Sequence, residues 1–160
     1  MYSFFAGRGF HSLRPVFYSI VAFFGLLLLL NTAKAYAQAQ KPLPTITLTL
    51  NEHSVLAEVA DTPSTRSQGL MYRQALEPNN GMLFVFDTPL RACFWMKNTQ
   101  IPLSIAFITA DGIISNIEDM EPFSLASVCP TQAMQYALEM EQGWFDKRSI
   151  QAGDKVEDLP

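Results

Sequence analysis

Histidine is nearly absent: the 160 residues hold two, His11 and His53. Only His53 lies beyond the first 37 residues, in a segment read as a hairpin turn and expected to be exposed to solvent. A nucleophile–histidine pair and a histidine-based zinc site therefore lack material. Cysteine is as scarce. Cys93 and Cys129 stand alone, with no Cys-x-x-Cys spacing and no His or Cys at metal-ligand distance in sequence. Gly-x-Ser-x-Gly, His-Glu-x-x-His and a glycine-rich phosphate loop are all missing, which closes the familiar hydrolase, metalloprotease and nucleotide routes. No catalytic residue, metal or cofactor is assigned. Positive charge is also short, with 11 Lys and Arg against 15 Asp and Glu. Such a chain gains nothing from a phosphate backbone, and nucleic acid is excluded as a partner.

What is present begins with an export signal. Residues 1–14 carry Arg8 and Arg14 without an acid, and Val16 to Leu30 is an unbroken apolar run ending in leucines. Asn31 and the small-residue stretch Ala33-Lys34-Ala35-Tyr36-Ala37 follow. A charged head, an apolar middle and an Ala-x-Ala end make a secretory signal peptide. The run is short of the ~20 apolar residues that a membrane-spanning helix needs. Cleavage is expected after Ala37, with Ala39 and Ala35 as neighbouring alternatives, and the product is periplasmic or secreted. A retained anchor is the competing reading, and an uncleaved signal segment would be the one route to membrane contact. The expected organisation is a leader over 1–37, a lead-in over 38–44 and one domain over 45–160. Removal of the leader takes three bases and no acid, leaving eight bases against fifteen acids and a net charge of −7. In an oxidising compartment Cys93 and Cys129 favour a disulfide, which stabilises by roughly 3–4 kcal/mol through the unfolded chain. Two buried free thiols are the alternative.

The pattern after the lead-in is one of short strands. Thr45 to Leu50 alternates strictly, which is the period of a half-buried strand, and Val55 to Ala60 returns after a turn at Asn51 to Ser54. Thr62-Pro63 reads as the N-cap and first residue of a short helix stopped by Gly69. Further strands are expected at Met82–Phe86, Cys93–Met96, Leu103–Ile108, Ile113–Ile117, Tyr136–Met140 and Lys155–Glu157, with Asp111-Gly112 as a hairpin turn. Residues 118–133 read as irregular, and Gly143–Arg148 as a second short helix. Strands do not alternate with helices, so parallel α/β layouts are disfavoured. The expected fold is mainly β: a compact barrel or sandwich of seven or eight short strands with two short helices.

Several motifs are shared with a known family. Arg66-x-x-Gly69-Leu70-Met71-x-Arg73, Gly81-Met82-Leu83-Phe84-x-Phe86 and Phe94-Trp95-Met96-Lys97-Asn98-Thr99 come first. Ile101-Pro102-Leu103-x-Ile105-Ala106-Phe107-Ile108, Leu138-Glu139 and Gly153-Asp154 follow. By these the chain resembles the domain-of-unknown-function 192 family over residues 55–157. The resemblance implies a single β-rich domain and no established activity, and it carries over no catalytic position.

The candidate site is drawn around the Phe94–Thr99 block, where two aromatics, a thioether, a cation, an amide and a hydroxyl stand together. Trp95, Lys97 and Asn98, with Arg66 and Arg73, form a candidate rim able to grip a small anion or a partner's acidic side chain. The same arginines could instead pair within the fold, with Asp61 or Glu139. Glu139 lies between Leu138 and Met140 on an apolar strand. Alternation sets it opposite them with Ala137, either facing outward, in an ion pair or in a functional role. The first reading is a non-enzymatic accessory or binding module of the cell envelope, taking an unknown small ligand or an envelope protein. Two alternatives stand beside it. One is a carboxylate enzyme acting on an envelope glycan or small molecule through Glu139 and Asp119. The other is a Cu(I) carrier using Met71, Met82, Met96, Met120, Met134 and Met140, residues that core packing accounts for more simply.

Overall fold

The computed structural model describes residues 43–160. The leader and its cleavage site, and all but the end of the lead-in, lie outside the described residues. One seven-stranded sheet organises the rest: β1 (Thr45–Leu50), β2 (His53–Ala60), β3 (Asn80–Leu90), β4 (Leu103–Ile108), β5 (Ile114–Met120), β6 (Met134–Glu141) and β7 (Val156–Glu157). Their order across the sheet is β5-β4-β6-β3-β2-β1-β7. The sheet curls into a half-barrel, and a bridge between Ile113 and Lys155 ties its two edges together. Backbone bonds from Ile114 N to Asp154 O (2.9 Å) and from Val156 N to Gly112 O (2.8 Å) reinforce that seam. Closing a curl in this way covers edges that would otherwise invite strand addition. The mainly β architecture expected from the alternation is the one observed.

Every pairing is antiparallel except one. β2 and β3 run parallel, Leu56 facing Asn80 through Ala60 facing Phe84, and a parallel pair needs a crossover. The chain supplies it through α1 (Pro63–Gln68) and an irregular return over residues 69–79. Thr62 caps α1 as expected, in a capping box with Thr65, and Pro63 opens it. Gly69 ends it at φ +48°, ψ −136°, a conformation closed to residues with a Cβ. Against the sequence reading, Cys93–Met96 is not a strand. Phe94 makes a single bridge to Val128, because these residues cover the sheet rather than extend it. The second helix reduces to a 3-10 turn at Asp146–Arg148. The Asn51 turn is tighter than expected, so His53 opens β2 half-buried, edge-on to Trp144 at 6.4 Å.

Two apolar layers form, one on each face of the central strands. All seven strands contribute to the layer inside the curl, including Leu48, Val55, Leu83, Ala106, Ile114, Leu138 and Val156. A second layer lies on the other face, where Met82, Phe84, Ile105, Phe107 and Ala137 are covered by Leu70, Met96 and Ile101 from the loops. β4 is consequently buried at every position. The methionines are dispersed through these layers: Met82, Met96, Met120 and Met134 pack in the second and Met140 in the first, while Met71 is half-buried.

Candidate functional site

The second layer is incomplete, and the gap is the candidate site. Between α1, the outer face of β3 and β6, and the loop over residues 92–99 lies a cavity of about 320 Å³. Its walls are aromatic: Phe84 and Phe86 from β3, and Phe94 and Trp95 from the covering loop. Phe94 stands edge-on to Phe84 (5.0 Å) and to Phe107 (5.7 Å), which fixes the wall against the sheet. Trp95 keeps 53% of its surface exposed and forms the lip.

The covering loop is tied down from three directions. Cys93 and Cys129 form a disulfide, as the export reading expects. Phe94 and Val128 exchange backbone hydrogen bonds (2.7 and 2.9 Å), and Met96 N donates to Ser124 O (2.9 Å). Asn98 adopts a left-handed turn (φ 57°). Its Nδ2 donates to the Tyr72 hydroxyl (2.9 Å) while its carbonyl accepts from Tyr72 N (2.9 Å). Asn98 therefore joins the two loops that flank the cavity.

Glu139 faces this space from β6. Its strand partners are Met82 on β3 and Ile105 on β4, so its carboxyl emerges among apolar side chains. The residue is 4% exposed. Among the described residues its carboxyl has no hydrogen-bond or ion-pair partner. Burial alone pushes it up from the ordinary glutamate range to about 8. A lone carboxylate in an apolar setting is costly, and taking up a proton is the cheaper state. Gly81 permits the close strand approach here, since a Cβ at that position would stand 2.4 Å from the Glu139 carbonyl oxygen and from Met140 Sδ.

The six residues expected at the site divide evenly. Arg66, Trp95 and Glu139 line the cavity; Arg73, Lys97 and Asn98 do not. Arg66 sits at the mouth, its Nη1 donating to the carbonyls of Asp61 (2.5 Å) and Val85 (2.7 Å). Its guanidinium lies over the Phe86 ring at 4.9 Å. Arg73 is held away by a 2.6 Å ion pair with Glu58 and borders a separate groove. Lys97 places Nζ 5.6 Å from the Trp95 ring centre, on the outer surface. Neither arginine pairs with Glu139, and Glu139 does not face outward. Both are corrections to the structural readings of that residue. Asp119, its proposed partner in acid–base chemistry, is exposed on β5 and accepts a hydrogen bond from Ser104 (2.5 Å). It does not reach the cavity.

The residues overlooked at the site are Phe84, Phe86, Leu70 and Met71. A signal existed: they belong to the same motif blocks that carry the family resemblance. Arg66 to Met71, then Phe84 and Phe86, then Phe94, Trp95 and Thr99, and finally Glu139 are distant in sequence and line one space.

The comparisons show the fold and the family. A crystal structure from Sinorhizobium meliloti 1021, described as a candidate transcription regulator, is 34% identical with a TM-score of 0.69. The match covers 74% of this chain and 97% of that one. A protein of unknown function from Novosphingobium aromaticivorans DSM 12444 is 31% identical with a TM-score of 0.68, over 76% and 95% of the two chains. No curated protein matches the sequence. The family model described as uncharacterized ACR, domain of unknown function 192, matches residues 46–157. The chain belongs to that family.

Proposed function

We propose that this protein is an exported, non-catalytic binding module of the cell envelope. Its site is the cavity over β3 and β6, and its occupant is a small molecule with an apolar body. The observation that carries the reading is Glu139: a buried carboxyl without a partner among the described residues, at a cavity walled by aromatic rings. Buried polar groups are nearly always satisfied, and an exception calls for a ligand or a chemical role. An apolar pocket with one convergent polar group is the common form of a small-ligand site, which orients its guest through that group.

A second reading has one observation in its favour. Burial pushes the Glu139 carboxyl up to about 8, toward the protonated state that a general acid needs. It lacks company for that work, because among the described residues no other carboxylate lines the cavity. A nucleic-acid role, which the description of the Sinorhizobium structure would suggest, suits poorly a segment beyond residue 37 with eight bases against fifteen acids.

The test is a fragment screen by ligand-observed NMR on the native protein and on Trp95→Ala, a change at the half-exposed lip. Small aromatic fragments are expected to bind the native protein and to lose most of their affinity in the variant. Equal binding to both would place the fragments elsewhere and overturn the reading. Export is tested separately, by mass spectrometry of the periplasmic fraction. A chain beginning at Gln38 is expected, and an intact Met1 terminus in the membrane fraction would contradict it.

A further inference from the structure

We infer that the cavity takes a small organic cation, an ammonium head on an apolar body, received by the Glu139 carboxyl between aromatic walls. The inference rests on the binding reading above and adds the ligand's charge. Three features point the same way. Among the described residues no cation or hydrogen-bond donor reaches the Glu139 carboxyl, so a counter-charge to its ionised form would come with the guest. The walls include the rings of Phe84, Phe86, Phe94 and Trp95, two of which already hold a cation of the protein, Arg66 over Phe86 and Lys97 over Trp95, and aromatic faces attract cations most when water is excluded. The segment beyond residue 37 carries a net charge of −7, which raises the local concentration of cations.

The charged surroundings of Glu139 are few. On β3 and β4 its neighbours are Met82 and Ile105. Across the cavity the other charged lining group is Arg66. Its Nη1 is committed to two backbone carbonyls and its guanidinium lies over Phe86. Arg73, Lys97 and Asp119 lie outside the cavity. Among the described residues an anionic guest would meet Arg66 at the mouth and an acid further in.

Binding is coupled to a proton. The free site holds a neutral carboxylic acid at neutral pH. On binding, the O–H bond breaks, the proton goes to solvent, and the carboxylate pairs with the ammonium. With Glu139 titrating at about 8 in the free protein, this release weakens cation binding about tenfold at pH 7. The penalty fades as pH rises through 8. Affinity for a permanent or strongly basic cation should therefore climb about 50-fold between pH 6 and pH 8.

Calorimetric titration of the intact protein with benzylammonium, benzyl alcohol and benzoate tests the charge directly. Benzylammonium is expected to bind more tightly than the other two, with the stated rise from pH 6 to pH 8. It should also release close to one proton at pH 7, read from buffers of different ionisation heat. Glu139→Gln should remove the pH dependence and cost benzylammonium at least tenfold while leaving benzyl alcohol within a few-fold. If that variant fails to fold, the pH profile of the native protein decides. Benzyl alcohol or benzoate binding as tightly as benzylammonium, or a flat profile, overturns the cation and leaves the cavity reading standing. No binding by any of the three at any pH overturns both.

Discussion

β6 presents two faces that have been given opposite work. Leu138 and Met140 point into the closed curl, where residues from all seven strands meet them. Ala137 and Glu139 point the other way, into a layer whose cover is loop rather than strand. The first face is filled; the second leaves about 320 Å³ open beside an acid without a partner among the described residues. One strand thus carries the packed core on one side and the candidate cavity on the other, and the period of two keeps them apart. A site can tolerate an unsatisfied carboxyl because the sheet it stands on is secured by the opposite face.

The largest effect expected from this contrast is on the inner face. Leu138→Ala should destabilise by about 2–5 kcal/mol, the range for emptying a packed aliphatic site, measured by urea unfolding. Glu139→Gln, one residue away, should not destabilise at neutral pH, and its stability relative to the native protein should rise between the ordinary glutamate range and about pH 8. A loss at Glu139→Gln comparable to that at Leu138→Ala would erase the difference between the faces. Next comes the cover. Breaking the disulfide with Cys93→Ser should cost about 2–4 kcal/mol through the unfolded state. It should also loosen the Phe94–Trp95 wall, seen as faster hydrogen exchange at Phe94 N–H while β4 amides stay protected. Uniform loss of protection would mean that the cover and the sheet are one cooperative unit.

Much of the inner face was legible in the sequence and little of the outer one. Thr45 to Leu50 alternates because one face of β1 packs in the curl, and Thr62-Pro63 and Asp111-Gly112 announce their cap and turn through local chemistry. Alternation even assigned Glu139 and Leu138 to opposite faces correctly. It could not say that Glu139's face is covered, since the covering residues arrive from positions 70 and 94–99 by tertiary contact. The parallel β2–β3 pair was equally hidden: strand patterns show faces, not neighbours. That pairing sets Glu58 opposite Met82, on the strand whose carboxylate holds Arg73 away from the cavity. Cys93–Met96 looked like a strand because a loop that lids an apolar layer needs the same apolar residues as a strand.

The central claim is that the Glu139 carboxyl is buried at the cavity over β3 and β6 and stands unpaired among the described residues. Because its folded value lies above the unfolded one, this group favours the folded state at low pH. Its contribution declines by up to about 1.4 kcal/mol per pH unit between the ordinary glutamate range and about 8, and is level above that. The direct measurement is a pH titration of the Glu139 side-chain carboxyl by carbon-detected NMR in the ligand-free protein. A midpoint near 8 is the result expected here; a midpoint among the other carboxylates, near 4.5, would mean that Glu139 is solvated or paired, and the site described would not exist.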